Sequence, residues 1–434
     1  MKASVGGSFR WSHEEAQAWR VAALRDLLRF AAATSPFHRR RMAAVGLDPD
    51  GVRSADDLYR LPLMTKSDLR EHLAELQTVP PRGTREVFVT SGTTGLPVVF
   101  RYSAGDLAHL GHQGGELLRV AGVEEGDLFQ LTLPLGAKMW VAGIDFWMSF
   151  QAAGAGTVRF GAGDSDGQVQ TAAELGADGF FATASFSRRL GLAAVGKRLG
   201  VRKLLVVNEN VLEEGLGRNE LGREIERLWP GVDVRAVYGT TELGFSGAEC
   251  DAHQGFHTHP EAHWFEVVDP TTGTPLPDGK PGRLVATSLL YRGLPLIRYA
   301  IEDVTFLVRE PCKCGLTSDR LGPIIGRLDD MLKPKGGVSL YPSAVESLLL
   351  AEPGVEDYWF EAYTDEVGCE QLRIHAAPAD GVDAGTLTGT IVGRFLARMR
   401  FRPEVVVTTA QEVARSVAVD GKRKPQRFHD RRRR

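Results

Sequence analysis

The chain has 434 residues, with 52 Lys and Arg against 55 Asp and Glu, and 43% of its side chains are hydrophobic. That balance excludes a wholly disordered polypeptide, because it buries enough apolar surface to offset chain entropy, and the length suits two or three domains. No uncharged apolar run approaches the ~18 residues of a membrane span, the N-terminus lacks the apolar core of a secretory signal, and four Cys are too few for a disulfide scaffold, so a cytoplasmic location is expected.

The first 80 residues read as helical. Trp19, Ala23, Leu27 and Phe30 recur at helical spacing behind a Ser12/Glu15 capping box. A second helix is predicted over 66–76, capped by Thr65 with Asp68 in its first turn. From about Glu86 the texture changes to short apolar runs between Gly-rich turns. Strands are predicted at 87–90, 98–101, 129–133, 157–160, 204–207 and 234–237, with helices at 167–175, 187–199 and 217–228. The most apolar stretch, 139–150, is broken by Asp145. Alternating strand and helix implies an α/β body with a largely parallel sheet. Between Trp264 and Val308 the strands crowd together as an attached antiparallel β unit. Beyond Gly326-Arg327-Leu328-Asp329-Asp330 a strand near Val338, a helix opened by Ser343 and strands near Tyr358, Ile374 and Val406 form a small α+β unit. The expected division is therefore 1–328 and 329–434.

The charge is uneven. Residues 422–434 hold eight basic side chains and one acid, so the body ahead of them is acidic and does not suit nucleic acid. Two readings of the tail stay open: a solvated, partly disordered end over Arg431 to Arg434, or a polyanion site for RNA or for the phosphates of a small nucleotide.

Two segments carry chemistry. Thr90-Ser91-Gly92-Thr93-Thr94-Gly95-Leu96-Pro97 lies between two predicted strands and packs hydroxyls and exposed N–H groups into a turn, a nest that suits phosphate oxygens. It lacks the Gly-Lys-Ser/Thr ending of a P-loop. Tyr238-Gly239-Thr240-Thr241-Glu242 directly follows a predicted strand, where an aromatic, hydroxyls and a carboxylate would meet a ligand at a sheet edge. Either segment alone could be structural, as a Gly/Thr-rich hairpin or as a capped helix start. In a separate pattern, Cys250, His257, Cys312 and Cys314 offer the Cys₃His set that tetrahedral Zn²⁺ accepts, with His259 or His263 able to replace His257. Unrelated buried thiols are the alternative, and Cys369 lies outside the set.

Together the two segments resemble the adenylate-forming superfamily of acyl-CoA synthetases, adenylation domains and luciferases. Tyr299-Ala300-Ile301-Glu302-Asp303 and 326–330 match further family segments. Ser35-Pro36-Phe37-His38, the run 61–70, Leu296-Ile297-Arg298-Tyr299 and Pro311-Cys312-Lys313-Cys314-Gly315 resemble its phenylacetate–CoA ligase-like branch. The resemblance covers nearly the whole chain. It implies that an acid attacks the α-phosphate of ATP, releasing pyrophosphate, and that the acyl group then passes to CoA. By the same resemblance Ser91, Thr93, Thr94 and Gly95 cradle the leaving phosphates. Tyr238, Gly239 and Thr240 frame the adenine, Thr241 contacts the α-phosphate, and Glu242 holds Mg²⁺. Glu209 lines the adenine pocket, Asp303 grips the ribose, Arg327 reaches the nucleotide, and Asp329 is the hinge of a mobile C-terminal domain. Lys424 is the expected catalytic cation, with Lys422 its rival.

The chain also departs from the family pattern. Asn208-Glu209-Asn210 replaces a segment with small residues, Ser339 stands where an Asn is usual, and the acyl-pocket stretch reads Leu133 through Trp140. Substrate and acceptor are therefore less defined than adenylation. Trp140, Phe186 and Phe245 could line a pocket for a flat aromatic acid, as could Phe146 and Trp147, although each could equally be core. The acceptor could be CoA, an amine, a carrier-protein thiol, or an arylamine meeting activated nitrite. A non-catalytic nucleotide- or RNA-binding protein is the reading of another class. A homodimer is expected from family habit alone.

Overall fold

The computed structural model describes residues 5–89, 98–133, 135, 141–161, 163–334, 340–350, 352–417 and 426–432. Ser91, Thr93, Thr94, Gly95, Trp140, Val338, Ser339, Lys422 and Lys424 lie outside the described residues. The chain divides into two compact units, 1–218 with 222–323, and 219–221 with 324–434.

The first unit opens with α1 (His13–Thr34), where the Ser12/Glu15 capping box is formed as the sequence predicts. The helices α2 (Pro36–Ala44) and α3 (Ala55–Tyr59) follow. The predicted helix over 66–76 is two short ones, α4 (Lys66–Glu71) and α5 (Leu73–Leu76), interrupted at His72. The strands β1 (Glu86–Val89) and β2 (Val99–Tyr102) pair antiparallel on either side of the Gly/Thr-rich loop.

The main sheet contains β3 (Leu128–Leu131), β4 (Gly156–Val158), β5 (Gly179–Thr183), β6 (Lys203–Val207), β7 (Asp233–Thr240), β8 (Gly244–Glu249), β9 (Phe256–Thr258), β13 (Leu307–Val308) and β14 (Arg320–Leu321), in the order β13-β14-β9-β8-β7-β6-β5-β3-β4. From β4 to β7 the neighbours run parallel, and from β7 to β13 they run antiparallel. The parallel half is apolar on both faces, as buried parallel strands must be: β6 is buried along its whole length. Around this sheet lie α6 (Ala104–Val120), α7 (Val141–Ala153), α8 (Ser165–Leu175), α9 (Ala184–Ala194) and α10 (Glu220–Leu228). The core is aromatic here, with Phe146 4.2 Å from Phe181 and 5.1 Å from Phe245 between ring centroids.

The strands β10 (His263–Val268), β11 (Gly282–Ser288) and β12 (Tyr299–Thr305) form the antiparallel unit expected between Trp264 and Val308. Its junction with the N-terminal helices is Arg298, which adopts a left-handed φ of +53°. Its buried guanidinium pairs with Glu266 at 2.9 Å and donates to the carbonyls of Tyr59 and Leu61. Met64 then hydrogen-bonds to both sides of Tyr299, through the Arg298 carbonyl and the Ala300 N–H.

In the second unit β15 (Gly326–Arg327) precedes α11 (Pro342–Leu350), and a four-stranded sheet of order β18-β17-β16-β19 follows. It is built from β16 (Val355–Thr364), β17 (Glu370–Pro378), β18 (Glu404–Val407) and β19 (Phe428–Arg431), with α12 (Ala384–Met399) and α13 (Ala410–Val417) between strands. Leu349, Phe360, Ile374, Ile391 and Phe395 form its core. The basic C-terminal end is not a loose tail through Arg432. Arg431 pairs with Glu361 at 3.0 Å, and Arg432, 7% exposed, pairs with Asp430 and Glu370. Among the described residues, no helix is long and apolar enough to cross a membrane.

Candidate active site

The segment Thr241-Glu242-Leu243 is a tight connection between antiparallel β7 and β8, so the capped helix start that the sequence also allowed is not formed. Two glycines make this turn possible. A Cβ on Gly239 would lie 2.7 Å from the Gly244 carbonyl oxygen, and Gly244 itself has a φ of +68°. The Thr240 hydroxyl accepts the Leu243 N–H and closes the turn. Thr241 and Glu242 are left partly exposed on it.

Two tyrosine–carboxylate hydrogen bonds join this turn to β12. The Tyr238 phenol donates to Asp303 at 2.7 Å, with both groups buried. Four residues along each partner, the Tyr299 phenol donates to Glu242 at 3.4 Å. Tyr299 and Asp303 lie on one face of β12, because side chains four apart along a strand point the same way. The structure therefore brings Tyr238, Glu242 and Asp303 together. Tyr299 was no candidate from the sequence; the signal was its spacing of four before Asp303, matching the spacing of Tyr238 and Glu242.

Glu209 sits just beyond β6, after Asn208 at a left-handed φ of +77°. Its carboxylate accepts the Ser185 N–H at 2.6 Å and the Ser185 hydroxyl at 2.9 Å, and so caps the first turn of α9. Phe186 occupies that same turn, partly exposed, beneath the Arg189 guanidinium. Phe245 is fully buried in the core. Arg327 and Asp329 belong to the second unit, where Arg327 precedes a single 3₁₀ turn over Leu328–Asp330 and the Asp329 carbonyl accepts from Arg432.

Beside the turn lies the acid that breaks the apolar run at 139–150. Asp145 on α7 is 1% exposed. It accepts the Phe245 N–H at 2.7 Å and has a long 3.4 Å contact from the Ser149 hydroxyl. Burial, only partly offset by these two bonds, pushes its carboxyl up to about 7. The buried phenols of Tyr102 and Tyr291 lie within its field and are pushed up by burial first and by this carboxyl next or nearly so.

Cys250, His257, Cys312 and Cys314 converge apart from that turn, with their four ligand atoms within 4.8 Å of one another. Cys250 Sγ is 3.6 Å from Cys312 Sγ, and Cys314 Sγ is 3.4 Å from His257 Nε2. A tetrahedral zinc with bonds of ~2.3 Å to sulfur has edges of about 3.8 Å, so the donor set fits that ion. His257 Nδ1 is engaged by the Ser318 hydroxyl at 2.8 Å, which turns Nε2 toward the sulfurs. Burial lowers the His257 imidazole to about 3, leaving it neutral, and raises the Cys250 and Cys314 thiols.

No family model matches the chain. It is 34% identical over 351 residues to the phenylacetate–coenzyme A ligase of Thermus thermophilus, covering 80% of this chain and 78% of that protein. It is 30% identical over 347 residues to the phenylacetate–coenzyme A ligase of Escherichia coli, covering 77% and 76%. The fold is similar to that of a 2-hydroxyisobutyryl-CoA ligase crystallised in its postadenylation state with an acyl-AMP, with a TM-score of 0.84 at 23% identity over 97% of this chain and 90% of that one.

The Asp145 carboxyl yields a stability prediction. Its folded-state value lies above the ordinary Asp value of 3.8, so the folded protein holds the proton longer, and stability falls as pH rises from about 4 to about 7. Asp145→Asn removes that penalty. Its thermal midpoint should gain on the wild type between pH 5 and pH 8, by a stabilisation bounded at about 4 kcal/mol. Parallel midpoints across that range would contradict the burial account.

Proposed function

Because the chain belongs to the phenylacetate–CoA ligase branch of the adenylate-forming superfamily, we propose that it is an ATP-dependent acid–CoA ligase that forms an acyl-adenylate from an aromatic carboxylic acid and passes the acyl group to CoA, releasing AMP and pyrophosphate. The observation that carries this reading is the pair of tyrosine–carboxylate hydrogen bonds. They gather an aromatic ring, two carboxylates and a threonine hydroxyl at one turn, the side-chain set that a magnesium nucleotide requires.

In the proposed first half-reaction the substrate carboxylate attacks the α-phosphorus and pyrophosphate leaves. Catalysis of such a displacement is positioning plus stabilisation of negative charge. Asp303 holds the ribose hydroxyls, Tyr238 with Gly239, Thr240 and Glu209 bounds the adenine, and Thr241 meets the α-phosphate. Ser91, Thr93, Thr94 and Gly95 receive the leaving phosphates. Glu242, aimed by Tyr299, would hold Mg²⁺, whose charge would be shared with the phosphate oxygens. Lys424 places a compact charge at the carboxylate–phosphate junction, and Arg327 reaches the nucleotide. For the second half-reaction, residues 329–434 act as a mobile domain turning about Asp329, withdrawing Lys424 and admitting the CoA thiol. The aromatic rings of Phe186, Trp140 and Phe245 are the proposed walls for a flat acid. The Cys250–His257–Cys312–Cys314 set is proposed to hold a structural Zn²⁺ remote from the chemistry.

The test is incubation with ATP and a panel of aromatic acids, followed by identification of the trapped adenylate by mass. An acyl-adenylate whose consumption depends on CoA supports the ligase. An adenylate that is consumed only with an amine or a carrier protein moves the acceptor. No adenylate and no pyrophosphate from any acid contradicts the assignment. Lys424→Ala should lower adenylate formation by at least ~10²-fold while sparing thiolysis of supplied adenylate. Equal loss of both halves, or loss with Lys422→Ala instead, would overturn its role. The purified protein should carry about one zinc per chain by elemental analysis. His257→Ala should lose most of that metal and melt at a lower temperature, and a metal-free wild type would contradict the site.

A further inference from the structure

A guanidinium carries five N–H donors in a planar fork, and at Arg432 each of them has an acceptor. Nε and Nη2 donate to the two oxygens of Asp430, each at 2.8 Å. Nη1 donates to the Met331 carbonyl at 2.7 Å and to Glu370 at 3.2 Å. Nη2 also reaches the Asp329 carbonyl at 3.3 Å. The side chain is 7% exposed. Two acids alone would satisfy the charge. The guanidinium instead joins three stretches of the second unit: the 3₁₀ turn after β15, the start of β17 and the end of β19.

The two carbonyls matter because of where they sit. The φ and ψ of Asp330 and Met331 lie between the peptide planes to which these carbonyls belong. One planar group that holds both planes therefore fixes those torsions. The chain beyond is fastened as well. Leu332 exchanges two backbone hydrogen bonds with Leu340, at 2.8 and 2.9 Å. The Lys333 N–H donates at 2.6 Å to Glu370, the carboxylate that also pairs Arg432. Ahead of this stretch, the 3₁₀ turn over Leu328–Asp330 is closed by the Met331 N–H on the Leu328 carbonyl at 3.3 Å. Torsion at Asp329 strains that long bond and carries the Asp329 carbonyl along with Arg432. Torsion further on would have to break the shorter bonds of Arg432, Leu332 and Lys333.

We propose that Arg432 is a positioning residue of the two-step reaction: by fastening residues 330–333 to the body of the second unit, it confines the turning of that unit to the backbone torsions of Asp329 and the residues ahead of it. This rests on the ligase reading above, in which residues 329–434 turn, and adds the side chain that defines the pivot. A rigid body turning about one residue returns to the same placement for each half-reaction. Additional free torsions after Asp329 spread that placement, and a misplacement of ~1 Å from a change far from the chemistry can cost ~10²-fold in rate. Because one body serves both halves, both slow together, whereas ligands whose proposed contacts lie mainly in the first unit bind as before.

The experiment uses the full-length chain and Arg432→Lys, which keeps a cation beside Asp430 and Glu370 but cannot span two carboxylates and two carbonyls with one ammonium. Adenylate formation and CoA thiolysis of supplied adenylate are timed separately, with the acid that the wild type turns over best. The kcat of both halves should fall by at least ~10-fold, with the ATP Kd and the acid KM within ~2-fold of the wild type. Asp430→Asn, which leaves Arg432 in place with a weaker partner, should show the same pattern to a smaller degree. Loss in one half alone, loss matched by an equal loss of ATP affinity, or full kcat in both variants overturns the role and leaves the ligase standing. Hydrogen exchange gives a readout separate from activity: the amides of residues 330–333 should exchange at least ~10-fold faster in Arg432→Lys, while those of β16 and β17 keep their protection. Exchange that is unchanged at 330–333, or that rises equally throughout the second unit, overturns the local anchoring. Absence of pyrophosphate release from the wild type with every acid overturns the ligase reading instead, and this role with it.

Discussion

The hydrogen bond from Tyr238 to Asp303 is the constraint on which the candidate site depends. It crosses between two sheets. Tyr238 ends the parallel half of the main sheet, whereas Asp303 stands on β12 of the antiparallel unit. A buried phenol and a buried carboxylate each cost free energy unless paired. Pairing them with each other satisfies both and fixes the spacing between the sheets. The second bond, Tyr299 to Glu242, then has little freedom left, because both of its members lie four residues along elements already pinned. The buried Arg298–Glu266 pair and the Met64 clamp hold β12 from the other side. The carboxylates are thus held in place by the fold itself, the preorganisation on which the proposed charge stabilisation at phosphorus would rely.

A second carboxyl, Asp145 of α7, meets the chain just after the same turn, at the Phe245 N–H. Glu242 is partly exposed, whereas Asp145, bonded to the Phe245 N–H, is 1% exposed. Two carboxyl groups near one short connection therefore sit in different surroundings, one within reach of water and the other closed off from it. That difference arises from burial, not from residue type.

Much of the architecture was legible in the sequence because local rules and tertiary packing agree there. The Ser12 capping box, the Thr65 cap with Asp68 in its first turn, the apolar strand at 204–207 and the crowded antiparallel unit are examples. The helix α6 escaped prediction for a physical reason. It contains Gly105, Gly111, Gly114 and Gly115, which weaken helix propensity, yet packing against α7 demands the last two: a Cβ on Gly115 would stand 2.8 Å from the Ala152 Cβ, and one on Gly114 would overlap the Ser149 hydroxyl. The helix α7 is apolar on nearly every side, so no periodicity marks it. The five-residue strand β5 was lost between two helices. At the site, residue types and order pointed to Tyr238, Glu242 and Asp303, but the cross-links between them could not be read, because the partners are 65 and 57 residues apart. The Cys/His set was legible from donor chemistry alone. The basic end misled, because the acids that pair Arg431 and Arg432 include Glu361 and Glu370, far back in the chain.

The most direct test of the tyrosine–carboxylate frame is a double-mutant cycle on ATP binding, with Tyr238→Phe, Asp303→Asn and the double variant measured by calorimetry in the presence of Mg²⁺. If Tyr238 acts by holding Asp303, the two losses will not add, and the coupling should be about 1–3 kcal/mol. Strictly additive losses, or ATP affinity unchanged by either substitution, would contradict the account.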